Sequence, residues 1–177
     1  MAEIVFTEGI VQAMASHALS AYPFECCGAL CGNDSGTVRT VLAVLPIDNT
    51  SGEDRRRRFS IDPRDYLRAE REAARLGQTL LGFYHSHPDH PAEPSRTDRE
   101  YAQPGFSYPI LSVRTDGVAD IRSWRLEPGS EWYSEEAVRN DAEARPGTSG
   151  LSPAQKQAGM PAPVARTEDA TNREEKS

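Results

Sequence analysis

Cysteine is scarce in this chain, and where it does occur it is crowded: Cys26, Cys27 and Cys31 are the only three. So small and clustered a set does not build the disulfide framework of a secreted domain, and it reads as small buried thiols in a reducing compartment. Their closeness to Glu25 leaves metal contact or redox sensitivity as the alternative. Long apolar runs are missing too, and nothing approaches the ~20 residues of a membrane helix. Positive charge is in deficit, with 20 Lys and Arg against 27 Asp and Glu, a net charge of −7 and an isoelectric point near 5.1. That balance counts against nucleic acid or an anionic membrane as the main partner. Met1 to Phe6 carry neither the basic segment nor the long apolar stretch of a signal peptide. A cytoplasmic protein is expected.

Aromatic residues are absent from residues 141–177, where large aliphatics are also few and Pro, Gly, Ala, Ser and Thr dominate. Such a segment cannot bury enough apolar surface to offset its ordering entropy, so a disordered tail is expected there. The 177 residues are 37% hydrophobic, enough for one domain with a substantial core, expected over residues 1–140. No internal repeat is visible.

Within that domain the hydrophobic period alternates. Ile10, Val11, Met14, Ala18 and Ala21 mark a helix that Thr7 can cap. His17 shares that face and reads as a packed or surface histidine. Gly28–Gly32 and Thr37–Ile47 read as strands joined by the turn Asn33-Asp34-Ser35-Gly36. A polar excursion, Asp48–Arg58, ends in four arginines, and Phe59-Ser60-Ile61 resumes an extended pattern. Asp62-Pro63 opens a second helix that Gly77 stops. Gln78–His87 reads as a buried strand, and Tyr108–Arg114 with Val118–Leu126 as a hairpin across Thr115-Asp116-Gly117. Interleaved strands and helices predict an α/β (α+β) domain, one central mixed sheet flanked by helices.

The chemistry concentrates where that buried strand ends, in His85-Ser86-His87-Pro88 and then Ser95-Arg96-Thr97-Asp98. Side chains two apart on a strand share a face, so His85 and His87 project together while Ser86 turns away. Ser95 can cap a helix, and Asp98 follows one turn later on the same side. A simple capping pair explains those two residues taken alone. Beside the paired histidines, Asp98 reads instead as a third metal ligand. Two His and one Asp leave a fourth position for water, the pattern of a catalytic zinc site. His90 reads as a loop or rim residue. Amide hydrolysis also needs a proton acceptor, and Glu25, flanked by Phe24 and Cys26 where a helix gives way to a strand, is the best candidate.

Glu25, then His85-Ser86-His87, seven residues, Ser95, two residues and Asp98, resembles the signature of the JAMM (MPN-plus) metallopeptidases. The resemblance covers nearly all of residues 3–135 in element order, and the motif is complete. It implies a fold akin to cytidine deaminases holding one Zn2+ per chain. It further implies that His85, His87 and Asp98 bind the metal, that Glu25 is general base and acid, and that Ser95 supports the oxyanion. The single-domain form and the Pro23-Phe24-Glu25-Cys26-Cys27-Gly28 opening look most like bacterial members. Those act on ubiquitin-like sulfur-carrier proteins, cleaving after a C-terminal Gly-Gly and releasing cysteine or another short extension. Asp48–Arg58 corresponds to a family insertion that helps engage substrate. Its run Arg55–Arg58 reads as a solvated loop, with contact to an acidic carrier protein as the alternative.

Other readings compete. Isopeptide conjugates of ubiquitin-like modifiers present the same Gly-Gly segment. A non-catalytic MPN scaffold would have broken ligands, whereas all are present here. A non-haem iron oxygenase also uses two His and a carboxylate, but in a different local order.

Overall fold

The computed structural model describes residues 2–130 and 132–141. The expected tail therefore falls, apart from Asp141, outside the described residues. Among these are seven strands and three helices, in the order β1 (Glu3–Phe6), α1 (Ile10–Ala21), β2 (Cys27–Asp34), β3 (Val38–Ile47), α2 (Pro63–Arg75), β4 (Thr79–Pro88), α3 (Arg96–Tyr101), β5 (Ser107–Arg114), β6 (Gly117–Leu126) and β7 (Tyr133–Asn140). The sheet is mixed and runs β1-β3-β2-β4-β5-β6-β7, closing on itself because β1 also pairs with β7. The expected α/β architecture is present, and among the described residues no helix is long and apolar enough to cross a membrane.

Two cores lie on opposite faces of β2 and β4. On one, Ile10, Met14 and Ala18 of α1 pack with Phe6, Leu30, Val41, Tyr84 and Val113. On the other, Ala69 and Ala73 of α2 pack with Cys27, Ala29, Cys31 and Phe83. All three thiols are free and buried. Burial pushes Cys26 up to about 11 and Cys27 up to about 12, which keeps both protonated and inert. His17 is half-buried, with Nδ1 2.8 Å from the Tyr84 hydroxyl.

The sequence expectation for α2 is met in detail. Asp62 caps it by accepting from the Arg64 amide at 2.7 Å, and Pro63 occupies the first turn. The expectation for α1 is corrected. Its N-cap is Gly9 at φ 85°, with no side-chain cap. The hydroxyl of Thr7 instead donates to the Val41 carbonyl at 2.9 Å, because β1 has brought it alongside β3. Phe59-Ser60-Ile61 joins no strand; Ser60 is held by Asn49 and Thr50. Neither β1 nor β7 was expected from the sequence.

One irregularity decides what β4 offers. Leu30 of β2 pairs with Gly82 and the next residue, Cys31, with Leu80, so Leu81 is an extra residue in the ladder. The side-chain alternation slips by one at this bulge. Leu80 and Phe83 face the α2 core while Leu81 and Tyr84 face the α1 core. Gly82 sits at φ 150°, and a Cβ there would lie 1.9 Å from the Ser107 carbonyl oxygen, so only glycine fits.

Candidate metal centre

Because the alternation slips at Gly82, His85 and His87 follow Phe83 onto the α2 side at the mouth of the sheet. Their Nε2 atoms are 3.0 Å apart. Asp98, on the first turn of α3, brings Oδ1 to 3.5 Å from His85 Nε2 and Oδ2 to 3.4 Å from His87 Nε2. Four-coordinate ligands about 2.0–2.1 Å from an ion are about 3.3–3.4 Å from one another. The two carboxylate contacts, one through each oxygen, are close to that spacing, and the 3.0 Å separation of the imidazoles is somewhat shorter. With one ligand atom from each residue, all lie within 4.8 Å of one another, and this is the group among the described residues that could hold a metal ion. The residues present fit the ion that the chemistry calls for.

Each ligand is aimed by a different device. The Nδ1 of His87 lies 2.9 Å from the Pro91 carbonyl, which fixes the proton there and turns the Nε2 lone pair to the site. Nδ1 of His85 is buried without a hydrogen-bond partner. Its ring is held instead by stacking on Phe59, 4.5 Å between centroids at 27°. Asp98 is oriented by a capping box: its Oδ2 accepts from the Ser95 amide at 2.6 Å, and its own amide donates to Ser95 Oγ at 3.2 Å. The capping reading of Asp98 is thus observed, and the cap turns the same carboxylate toward both histidines, where it could also serve as a ligand. Ser95 Oγ accepts in this box, so its own proton stays available for donation.

Burial of Asp98 raises its pKa, but His85, His87 and Ser95 outweigh that and hold the carboxyl far below the usual range. Burial lowers His85. It acts on His87 in the same direction, yet Asp98 and the Pro91 carbonyl raise that ring overall.

Glu25 is only 6% exposed. It lines one hollow with His87, His90, Ser95, Arg57 and Arg58. Desolvation is the main cause that pushes its pKa up to about 7, with the His87 charge opposing. His90 is exposed on that rim and lies outside the three-ligand group. A second hollow of about 550 Å³, with Phe59, Tyr66, Tyr108 and Tyr133 in its walls, meets the same centre at His85 and Asp98.

The sequence profile of the prokaryotic homologues of the JAB domain matches residues 7–127. The chain belongs to the prokaryotic JAB-domain family. A curated relative, the desampylase of Haloferax volcanii, is 38% identical over 103 residues, covering 58% of this chain and 70% of that one. The CysO-cysteine peptidase of Mycobacterium tuberculosis is 30% identical over 128 residues, 72% of this chain and 85% of that one. A solution structure of protein DSY2949 from Desulfitobacterium hafniense is similar with a TM-score of 0.68 at 33% identity, covering 77% of this chain and 92% of that one. The resemblance read from the motif is thus upheld, and the class follows: this JAB-domain chain is a hydrolase of the peptidase kind.

Sequence reasoning missed the residues that hold Glu25 and the ligands in place. Ser86, fully buried, accepts from the Cys26 amide through Oγ at 2.9 Å, and its own amide donates to the Cys26 carbonyl at 3.1 Å. Asn49 donates through Nδ2 to the carbonyls of Glu25 at 3.0 Å and Arg58 at 2.9 Å, and accepts through Oδ1 from Ser51 and Ser60. The Glu25 amide in turn donates to the Arg55 carbonyl at 2.8 Å. Glu25 is thus tied to β4 on one side and to the arginine loop on the other. An aromatic residue directly after four arginines was a signal for Phe59; nothing local marked Asn49 or the Pro91 carbonyl.

Proposed function

We propose that this protein is a zinc peptidase that hydrolyses the amide bond after the C-terminal Gly-Gly of a ubiquitin-like sulfur-carrier protein, releasing cysteine or another short C-terminal extension. The observation that carries the reading is the convergence of His85, His87 and Asp98, with one ligand atom from each within 4.8 Å of the others, and the buried Glu25 in the adjoining hollow. The names of the desampylase and the CysO-cysteine peptidase support the substrate class. Catalysis belongs to residues 1–140, in a cytoplasm where three buried thiols stay free.

His85, His87 and Asp98 would hold Zn2+, which supplies Lewis acidity for the scissile carbonyl and acidifies water to near neutrality. Glu25 takes the proton of the attacking water and returns it to the departing nitrogen. Burial beside the candidate ligands places this carboxyl within the hollow, where it can accept a proton and hand it on. The Ser95 hydroxyl, free to donate, stabilises the developing oxyanion; a donor of this kind is worth about 3 kcal/mol.

The test is to offer the purified protein a carrier ending in Gly-Gly-Cys and an isopeptide-linked conjugate, and to identify products by mass spectrometry. Release of cysteine is the expected result, and exclusive cleavage of the conjugate would transfer the assignment to isopeptide bonds. Glu25→Gln keeps stoichiometric zinc and loses cleavage, whereas His87→Ala and Asp98→Ala lose both. Full activity in Glu25→Gln removes its role, and iron with oxygen-dependent turnover removes the zinc hydrolase.

A further inference from the structure

The segment from His87 to Asp98 crosses the same face of the sheet that carries the two histidines. In the ladder His85 pairs with Ile110 and His87 with Ser112, while Ile110 pairs with Arg122 and Tyr108 with Trp124. Paired residues share a face, so His87, Ser112, Arg122 and Trp124 belong to one surface. Asp89, at φ 56°, turns the chain, and its amide donates to the Val113 carbonyl at 2.8 Å. Beyond it, among the described residues, no backbone hydrogen bond ties residues 90–94 to the sheet. Pro91 and Pro94 have no N–H to give.

Side chains make the attachment instead. The buried Ser112 donates through Oγ to the His90 carbonyl at 2.6 Å, and Trp124 donates through Nε1 to the Ala92 carbonyl at 2.9 Å. Between those two carbonyls lies that of Pro91, 2.9 Å from Nδ1 of His87. Arg122 braces the far end. Its Nη1 lies 2.7 Å from the Glu93 carboxylate and its Nε 2.8 Å from that of Glu135, with the guanidinium 4.6 Å from the Trp124 ring centre.

We propose that Ser112 and Trp124 are positioning residues for the metal centre: by holding the carbonyls on either side of Pro91, they aim the Pro91 carbonyl at His87 and thereby aim Nε2 of His87 at the ion. This rests on the metal reading above. The pyrrolidine ring locks φ of Pro91 at about −65°. With the carbonyls before and after it held, little freedom is left at ψ of Pro91, and the direction of its carbonyl is set. A loop without these anchors would offer that carbonyl to water as readily as to the imidazole. His85 is the internal contrast, because its Nδ1 has no hydrogen-bond partner and its ring is stacked on Phe59. Of the two imidazoles, His87 is the one whose aim depends on this loop.

Trp124→Phe keeps an aromatic ring and removes the Nε1 donor; Ser112→Ala removes the Oγ donor. Losing the partner of a ligating histidine weakens metal binding about 10–100-fold, and anchors one peptide away should act at the low end of that range. Each single variant of the full-length protein should therefore raise the zinc Kd about threefold and the double variant about tenfold, read by chelator competition. With Co2+ in place of zinc, the visible absorption of the double variant should shift as the ligand geometry changes. Glu136→Ala is the control, since it strips buried hydrogen bonds from the opposite face of β6 and β7. It should lower Tm and leave both the Kd and the Co2+ spectrum at wild-type values. A double variant with wild-type Kd, or with weaker binding and an unshifted Co2+ spectrum, overturns the proposal. An equal rise in Kd for Glu136→Ala overturns it too, because lost stability would then explain the effect. Should the double variant fail to fold, Trp124→Phe alone decides by the same two readouts. Wild-type protein that binds neither ion refutes the metal reading and this inference with it, a result separable from the others.

Discussion

Replacing Ser86 by Ala tests whether the residue between the two histidines positions Glu25. The change removes one oxygen from a fully buried site and leaves the Cys26 amide without its 2.9 Å acceptor. An unsatisfied buried amide costs about 1–3 kcal/mol. For a domain of this size that is roughly 3–10 °C in Tm. The bond lies one residue beyond Glu25, and a misplacement of about 1 Å in a catalytic group can cost up to 10²-fold. We expect kcat to fall about tenfold while zinc stoichiometry and KM stay at wild-type values. Calorimetry, metal analysis and steady-state cleavage of a Gly-Gly-Cys carrier read the three quantities. The control is Ser20→Ala, which removes an exposed hydroxyl bonded to the His17 carbonyl and should change stability by under about 0.5 kcal/mol. Equal melting of the two variants refutes the reasoning. So does a loss of turnover that tracks a loss of zinc, since Ser86 would then act through the ligands.

Two further outcomes follow from the buried carboxyls. Burial raises Glu25 from 4.5 to about 7, so the metal-free native state holds a proton that the unfolded chain has released between those values. Ionisation above pH 7 then penalises the fold by about 3 kcal/mol, a penalty absent below pH 4.5. Metal-free Glu25→Gln should accordingly melt above metal-free wild type at pH 8 and match it near pH 4; parity at pH 8 would show that the carboxyl is not so raised. Glu136 accepts from Ser107 at 2.9 Å and from Ser123 at 2.8 Å and is 2% exposed. Glu136→Ala should cost about 3 kcal/mol in urea denaturation while sparing the kcat of folded protein, and a cost under about 1 kcal/mol would deny it a part in holding β5, β6 and β7 together.

The strands and helices that carry strong periodicity were legible in the sequence. Pro63 and Gly77 bracket α2 as their chemistry requires, and the hairpin of β5 and β6 turns where its polar residues lie. Strands β1 and β7 were not legible. Four residues give too short a window for β1. β7 reads as polar surface because Glu136 is buried through hydroxyls and an arginine supplied by two other strands. The histidine pair announced itself by spacing two, yet its facing depends on the bulge at Leu81 and Gly82, which only the pairing with β2 reveals. Asp98 was ambiguous because one carboxylate serves both helix cap and metal triangle. Asn49 and the Pro91 carbonyl act through contacts that no local pattern announces.

The pairing of Glu3 with Ala137 has a consequence for the order of synthesis. A ribosome delivers β1 first and β7 last, so the first strand waits with one open edge until nearly the whole domain has emerged. Unpaired strand edges invite association with other chains. His85, His87 and Asp98 leave the ribosome well before that edge is covered. The elements that bring these three side chains together can therefore pack before the sheet closes, with the final strand acting as the latch.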